Sequence, residues 1–175
     1  MNRRIRWQLI CEDREHERFF YQLLVSRFGT RPDVRIAPRG EGNASVWVLR
    51  QYAIQVREYI RRRPRENIAL IVVVDGDQEG LRGRMDSAAA ALSERGEEPR
   101  KIGEPIAICV PTWSIETWFL WLIDGDVDEE SSLKDAFSRL PRQDLGDLAA
   151  RFMSKQAPPP SAAAAKAELD RIMSY

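Results

Sequence analysis

Apolar residues along the chain fall into two patterns, short unbroken runs and longer stretches with helical spacing. The unbroken runs predict buried strands, and apolar residues three or four positions apart predict amphipathic helices. The predicted strands cover residues 5–11, 34–37, 68–74 and 105–110, and the main predicted helices cover 14–28, 45–65, 85–95 and 112–123, with a loop over 78–84. Strands that alternate with helices in this way are typical of a parallel sheet flanked by helices, which predicts an α/β fold.

The residues after 123 carry helical patterns. Short helices are predicted over 133–140 and 145–153, and three prolines at 158–160 form a stiff spacer before a last helix over 161–173. We therefore predict a core over residues 1–123 and a C-terminal helical tail over residues 124–175 that packs on the same domain. A chain of 175 residues, 43% of them hydrophobic, is long enough to bury one such core.

The third predicted strand, residues 68–74, is apolar throughout and is expected to be buried on both faces. It ends in Asp75, Asp77 and Glu79, and Gly76 allows a tight turn between the two aspartates. Ligands of parallel α/β sheets bind beyond the carboxyl ends of the strands, and close carboxylates are relieved by a hard cation such as Mg²⁺. A solvated turn whose aspartate caps the next helix is the alternative interpretation.

Three further residues are candidates for the same chemistry. Glu12 is the first acid after the first strand, and Glu116 is the only ionisable group in the first two turns of an apolar helix. A charge among buried aromatics needs a partner or a metal, although the helix dipole also stabilises a carboxylate near a helix N-terminus. His16, the only histidine, lies one helical turn from Glu12 and is either a structural residue, a proton shuttle or a ligand.

Net charge is zero, but the charges are unevenly distributed. Residues 1–65 hold 15 Arg and 7 acidic residues, whereas the remainder holds 12 basic and 20 acidic residues. Arg suits bidentate phosphate contacts, so a basic half facing an acidic cluster could hold a polyanion over metal ions. Arg-rich composition from a GC-rich genome, and solvation of a helix end at residues 61–65, explain the same pattern without a ligand. The candidate nucleic-acid contacts are Arg14, Arg39, Arg61, Arg62, Arg82 and Arg84.

The two cysteines, Cys11 and Cys109, both lie in apolar strand patterns and are expected to be buried free thiols of a reducing compartment. No apolar run approaches the length of a transmembrane helix, and the N-terminus lacks a secretory signal pattern. We therefore expect a soluble cytoplasmic protein that does not associate with a membrane.

An isolated Glu after the first strand and an Asp-x-Asp after the third resemble the arrangement of Toprim domains. Three segments carry the likeness: residues 11–20 with Glu12 and an apolar pair on the following helix, residues 74–77 with the Asp-x-Asp, and residues 111–120 with a Glu between aromatic residues. Asp13 stands where the family has glycine. The sequence resembles the small Toprim proteins of the RloB and OLD-like nuclease group, which is associated with bacterial anti-phage defence.

The resemblance implies a Toprim-like fold and a metal-dependent nuclease. Asp75 and Asp77 would hold Mg²⁺ or Mn²⁺ with help from Glu79 or Glu116, and Glu12 would serve as general acid/base or as a further ligand. The expected substrate is DNA or RNA. An ATPase partner protein and a homo-oligomer remain open as partners.

Three other functions compete with this one. A Toprim-shaped module that no longer cuts could act by binding an ATPase or a nucleic acid. A haloacid-dehalogenase-type phosphatase would use Asp75 as nucleophile, but that family carries the motif on its first strand. A receiver-type phosphoacceptor needs a Lys after a late strand, where this chain has Pro111 and Trp113.

Overall fold

The computed structural model describes residues 5–40 and 42–173 and contains four strands and seven helices in that part of the chain. Residues 1–4 of the predicted core, residues 174–175 of the predicted tail, and residue 41 lie outside the described part of the chain. The elements in chain order are β1 (Arg6–Cys11), α1 (Arg14–Phe28), β2 (Asp33–Ile36), α2 (Ala44–Arg62), β3 (Ile68–Val73), α3 (Gly80–Ser93), β4 (Ile106–Cys109), α4 (Glu116–Asp124), α5 (Lys134–Ser138), α6 (Leu145–Phe152) and α7 (Pro160–Met173).

The four strands form one parallel sheet in the order β2-β1-β3-β4. The chain first moves from β1 to β2 on one side and then crosses to β3 on the other side of β1. This reversal opens a crevice between the carboxyl ends of β1 and β3, which is where α/β sheets of this kind bind ligands. The predicted α/β fold, a Toprim-like parallel sheet flanked by helices with a C-terminal helical tail, is confirmed.

Helices cover both faces of the sheet. Alternate residues of each strand point to opposite faces, so Leu9 and Ile71 pack in one core cluster and Ile10 and Leu70 in the other. The first cluster contains α1, α4, α6 and α7, and the second contains α2 and α3. Every residue of β3 is buried, as the unbroken apolar run predicts.

The C-terminal helices pack on the first of these faces. Phe152 of α6 lies against Phe19, Trp118 and Trp121. Buried Ser161, in the first turn of α7, accepts hydrogen bonds at its hydroxyl from the backbone N–H of Thr112 and from Trp118 Nε1. The start of α7 is therefore anchored to the turn that follows β4.

Helix α7 also covers the outer edge of β4. Glu168 accepts the backbone N–H of Ile108 at 3.2 Å, and Arg171 donates to the backbone carbonyls of Ile106 and Glu104. Arg100 donates to the Ile106 carbonyl and to Glu168. Polar groups that a neighbouring strand would otherwise pair are thus bonded to side chains.

Three predicted helix boundaries were wrong. Helix α3 starts at Gly80 and not at Met85, because a tight turn at residues 76–80 leads directly into it. Helix α4 starts at Glu116 and not at residue 112, because Trp113 has a left-handed φ of 63° that no helix accommodates. Helix α2 covers Ala44–Arg62 and not residues 45–65, and the Asn43 side chain caps its start.

The last helix begins at Pro160, one residue earlier than predicted, because proline fits the first helical position, where no backbone N–H is needed. Cys11 and Cys109 are buried and free, as predicted. Within residues 5–40 and 42–173, none of the helices combines the length and the apolar character that crossing a membrane requires.

Candidate active site

The crevice between β1 and β3 holds the acid from each strand that the sequence singled out. Cys11 and Val73 are register partners, so Glu12 and Asp75 leave the sheet at neighbouring points. Glu12 Oε1 accepts the backbone N–H of Asp75 at 2.9 Å. The structure therefore brings together two carboxylates that are 63 residues apart in sequence.

His16 lies beside this pair. The Asp13 carboxylate caps α1 by accepting the backbone N–H groups of Glu15 and His16, and this cap places His16 in the first turn. The imidazole is fully buried, with Nε2 2.9 Å from Asp75 Oδ1. Its Nδ1 lies 3.8 Å from Asp13 Oδ1 and makes no hydrogen bond to any of residues 5–40 and 42–173. Asp13, His16 and Asp75 offer ligand atoms that lie within 4.8 Å of one another.

We call Glu12, Asp13, His16 and Asp75 the acidic cluster, and its electrostatics are unusual. Burial and the Asp75 charge raise the pKa of Glu12 to about 7. Burial also raises the pKa of Asp75, in spite of the opposing effect of His16. Burial alone would lower the pKa of His16, but Asp75, Asp13 and Glu12 raise it to about 9. Three carboxylates thus face one imidazole, and the imbalance disfavours full ionisation of the acids.

The second half of the Asp-x-Asp motif points elsewhere. Asp77 has a left-handed φ of 45°, and its side chain is 64% exposed. Its Oδ2 lies 3.3 Å from Arg84, which also contacts Glu79 at 3.3 Å and donates to the backbone carbonyl of Asp75. Among residues 5–40 and 42–173, the one group of three metal-ligating side chains contains neither Asp77 nor Glu79. The structure thus does not show the expected convergence of Asp75 and Asp77, because the turn at Asp77 directs its carboxylate to Arg84.

A second turn holds Asp77 in this conformation. The backbone N–H of Asp77 donates to the Trp113 carbonyl at 3.0 Å, and both residues have positive φ. Non-glycine residues with positive φ are strained and persist where the surroundings fix them. A Cβ on Gly76 would lie 3.0 Å from the Pro111 carbonyl oxygen, so the two turns are in close contact at this point.

Glu116 lies near the acidic cluster but outside the group of metal-ligating side chains. Its carboxylate is 7% exposed and 4.0 Å from Lys134 Nζ. The charge of Glu116 contributes to the raised pKa values of Glu15, after burial, and of Asp75, after burial and Asp13. Glu116 therefore adds negative potential to the cluster.

The six candidate arginines lie in different parts of the molecule. Arg14 and Arg39 are exposed and line a cleft of about 550 Å³ together with Glu12 and Asp13, and Arg14 also pairs with Glu17. Arg82 is exposed in the first turn of α3, close to the same edge of the sheet.

The other three arginines are placed less favourably for a polyanion. Arg61 and Arg62 lie at the end of α2, near the amino-terminal ends of the strands, where they pair with Glu58 and Glu66. Arg84 is 4% exposed and bonded to the Asp75–Glu79 turn, so its guanidinium is not presented at the surface as the prediction of a nucleic-acid contact requires.

A larger cleft of about 790 Å³ lies between α1 and the α5–α6 connection. Glu15 is its only residue near the acidic cluster, and its other charged residues are Arg18, Arg142 and Asp144. Because Glu12 and Asp13 line the smaller cleft, that cleft is the better candidate for the substrate.

Sequence reasoning missed two parts of this site. Asp13 is not among the predicted ligands, although its carboxylate faces His16; its spacing of three residues from His16 was the available signal. The function of Arg84 as the partner of the Asp-x-Asp turn carries no local sequence signal, because the seven-residue spacing becomes a contact only once α3 starts at Gly80.

No protein-family model matches the chain, and searches of curated proteins and of solved structures give no significant match.

Proposed function

We propose that the protein is a metal-dependent phosphodiesterase that hydrolyses DNA or RNA, in the manner of the anti-phage Toprim nucleases that its sequence resembles. The observation that carries the proposal is the contact between Glu12 Oε1 and the Asp75 backbone N–H, at the switch point of a parallel sheet. It gathers carboxylates from two strands into one partly buried cluster beside an arginine-lined cleft.

The residues of the acidic cluster fit a divalent cation. Asp75 and Asp13 supply carboxylate oxygens close enough to share one ion, and Glu12 adds a third carboxylate at the same strand end. Bound there, Mg²⁺ or Mn²⁺ supplies Lewis-acid polarisation of the phosphate and lowers the pKa of the attacking water. Glu12 is held by the Asp75 backbone through one oxygen, which leaves the other free to bind the cation or to accept a proton from water.

The smaller cleft explains how a nucleic acid would be held. Arg14, the first residue of α1, and Arg39, three residues after β2, line this cleft together with Glu12, and a bound phosphate would compete with Glu17 for the Arg14 guanidinium. Guanidinium groups bind non-bridging phosphate oxygens in a bidentate fashion and would place a phosphodiester beside the acidic cluster. Arg82, at the start of α3, extends the basic surface along the same sheet edge.

The test is hydrolysis of plasmid DNA and of single-stranded RNA by purified protein with Mg²⁺ or Mn²⁺, comparing wild type with Asp75→Ala. Asp86→Ala, an exposed acid of α3, is the matched control. We expect metal-dependent cleavage by wild type and by the control, and its loss in Asp75→Ala together with suppression by EDTA. Equal cleavage by wild type and Asp75→Ala would assign the activity to a contaminant or another site.

One observation favours a second function, a non-cutting module that binds an ATPase partner or nucleic acid. The buried His16 imidazole already pairs with Asp75 at 2.9 Å, so Asp75 has a charge partner without a cation. This function predicts nucleic-acid binding that is unchanged by metal and by Asp75→Ala. It also predicts no cleavage, with or without an added ATPase partner.

A further inference from the structure

His16 is the least satisfied polar group of the acidic cluster. Its ring is fully buried, Nε2 is bonded to Asp75, and Nδ1 has no hydrogen-bond partner in the part of the chain that the structure describes. A buried polar atom without a partner is destabilising. Nδ1 faces Asp13 Oδ1 at 3.8 Å, which is too far for a hydrogen bond.

This separation matches two ligands of one metal ion. Metal–nitrogen and metal–oxygen bonds of divalent transition metals are each about 2.0–2.2 Å long, so adjacent ligand atoms around one ion lie roughly 3–4 Å apart. The 3.8 Å between His16 Nδ1 and Asp13 Oδ1 lies in this range.

The hydrogen bond to Asp75 fits the same interpretation. A metal-ligating histidine almost always donates its second ring N–H to a carboxylate, carbonyl or water, which fixes the ring orientation and the tautomer. Because an ionised carboxylate only accepts, the His16–Asp75 contact places a proton on Nε2. A metal ion would bind Nδ1 of the neutral imidazole, so its binding to a protonated ring releases the second proton.

We propose that Asp13 and the Nδ1 atom of His16 bind a divalent transition metal ion, that Asp75 orients the imidazole by accepting from Nε2, and that His16 makes the site select Mn²⁺ over Mg²⁺. Mg²⁺ prefers oxygen ligands in a strict octahedron, whereas an imidazole ligand suits transition metals. The inference rests on the proposed function insofar as this ion would be the cofactor of the nuclease, but the metal site stands on its own geometry.

The experiment measures metal binding by the full-length protein without nucleic acid. Isothermal titration with Mn²⁺ and Mg²⁺ gives the affinities, and pulsed EPR of the bound Mn²⁺ detects coupling to a ¹⁴N nucleus. We expect Mn²⁺ to bind at least about tenfold more tightly than Mg²⁺ and to show ¹⁴N coupling. His16→Gln should abolish the coupling and weaken Mn²⁺ binding about tenfold or more, with Mg²⁺ binding little changed.

Two further variants separate the metal site from the fold. Asp13→Asn retains a good helix cap and should also weaken Mn²⁺ binding, whereas Asp86→Asn should bind Mn²⁺ as wild type does. Absence of ¹⁴N coupling in wild type, or equal affinity for the two ions, would overturn the proposal even if His16→Gln proved unstable. Mn²⁺ binding with ¹⁴N coupling but no cleavage would refute the nuclease alone, and cleavage with Mg²⁺ without any coupling would refute the metal selection alone.

Discussion

Asp75 and Asp77 are two residues apart in one motif, yet they lie in opposite electrostatic surroundings. Asp75 is largely buried near Glu12, Asp13 and Glu116, and its carboxylate is bonded to the His16 imidazole. Asp77 is mostly exposed and faces the buried guanidinium of Arg84. The first position has negative charge in excess, and the second is neutralised by the protein itself.

The difference shows which half of the motif has capacity for a cation. A carboxylate among other carboxylates gains most from a divalent ion, whereas one that already contacts an arginine gains less and must give up that contact. The backbone explains the divergence, since the positive φ of Asp77 and its hydrogen bond to Trp113 direct the second carboxylate away from the first.

The largest expected effect separates the two aspartates by activity. Asp75→Asn should lower phosphodiester hydrolysis by about 100-fold or more, because it removes a charge that holds the cation, and Asp77→Asn by less than about tenfold. Initial rates at saturating Mn²⁺ measure both. Equal losses would show that the Asp77 side chain leaves Arg84 and joins the metal when substrate is bound. The two aspartates would then have the same function.

Gly76→Ala tests the close contact of the two turns that hold Asp77. The new Cβ would meet the Pro111 carbonyl oxygen at 3.0 Å, and backbone atoms on both sides cannot yield easily. We expect a loss of about 2 kcal/mol in the free energy of unfolding, measured by urea denaturation. Gly103→Ala, where a Cβ meets nothing within 4 Å, is the control and should change stability little.

Arg84→Met tests how much the pairing of Asp77 with Arg84 contributes to stability. It retains much of the buried stem but removes the charge and the hydrogen bond to the Asp75 carbonyl. Since Asp77 and Glu79 are exposed, solvent screens much of the lost pairing, and we expect a loss of about 1–2 kcal/mol in urea denaturation. Arg82→Met, at an exposed position of the same helix, should be close to neutral; a similar loss there would remove the distinction between the two arginines.

The weakest effect that we expect is the pH dependence of stability that arises from the Glu12 carboxylate. The folded-state pKa of Glu12 is about 7 against an ordinary 4.5, so the folded protein binds this proton more tightly than the unfolded chain does. Stability of the metal-free protein should therefore fall as pH rises from about 4.5 through 7. Glu12→Gln can still accept the Asp75 N–H and should remove this slope, leaving the variant more stable than wild type by about 1 kcal/mol near pH 8, or roughly 2–4 °C in Tm.

Melting curves in EDTA across this pH range provide the measurement. His16, with a pKa of about 9, makes its own contribution, which is present below about 6.5 and lost as pH rises through 9, and which should remain in the variant. Parallel curves for wild type and Glu12→Gln would mean that Glu12 is ionised as readily in the folded protein as in the unfolded chain.

The sheet was predictable because each strand is an apolar run with a helical pattern after it, and β3 shows this most clearly. The meeting of Glu12 and Asp75 followed from the same topology, since carboxyl ends of parallel strands share an edge. The position of the Asp77 carboxylate was not predictable, because it depends on one backbone torsion angle and on Arg84. Arg84 belongs to helix α3, and the start of that helix was misplaced in the prediction. The boundary of α4 failed for a related reason: a tryptophan with positive φ is a tertiary effect with no local signal.

The side chains of α7 on the outer edge of β4 have a consequence for assembly. Glu168 and Arg171 occupy positions where a further strand would dock, so the sheet of one copy cannot be extended from that flank by the sheet of another. The other flank of the sheet is the short strand β2, on which Asp33 and Arg35 are exposed. A chain truncated before Pro160 would lack Glu168 and Arg171. The outer backbone groups of β4 would then be open to a strand of another copy, and we expect such a protein to polymerise.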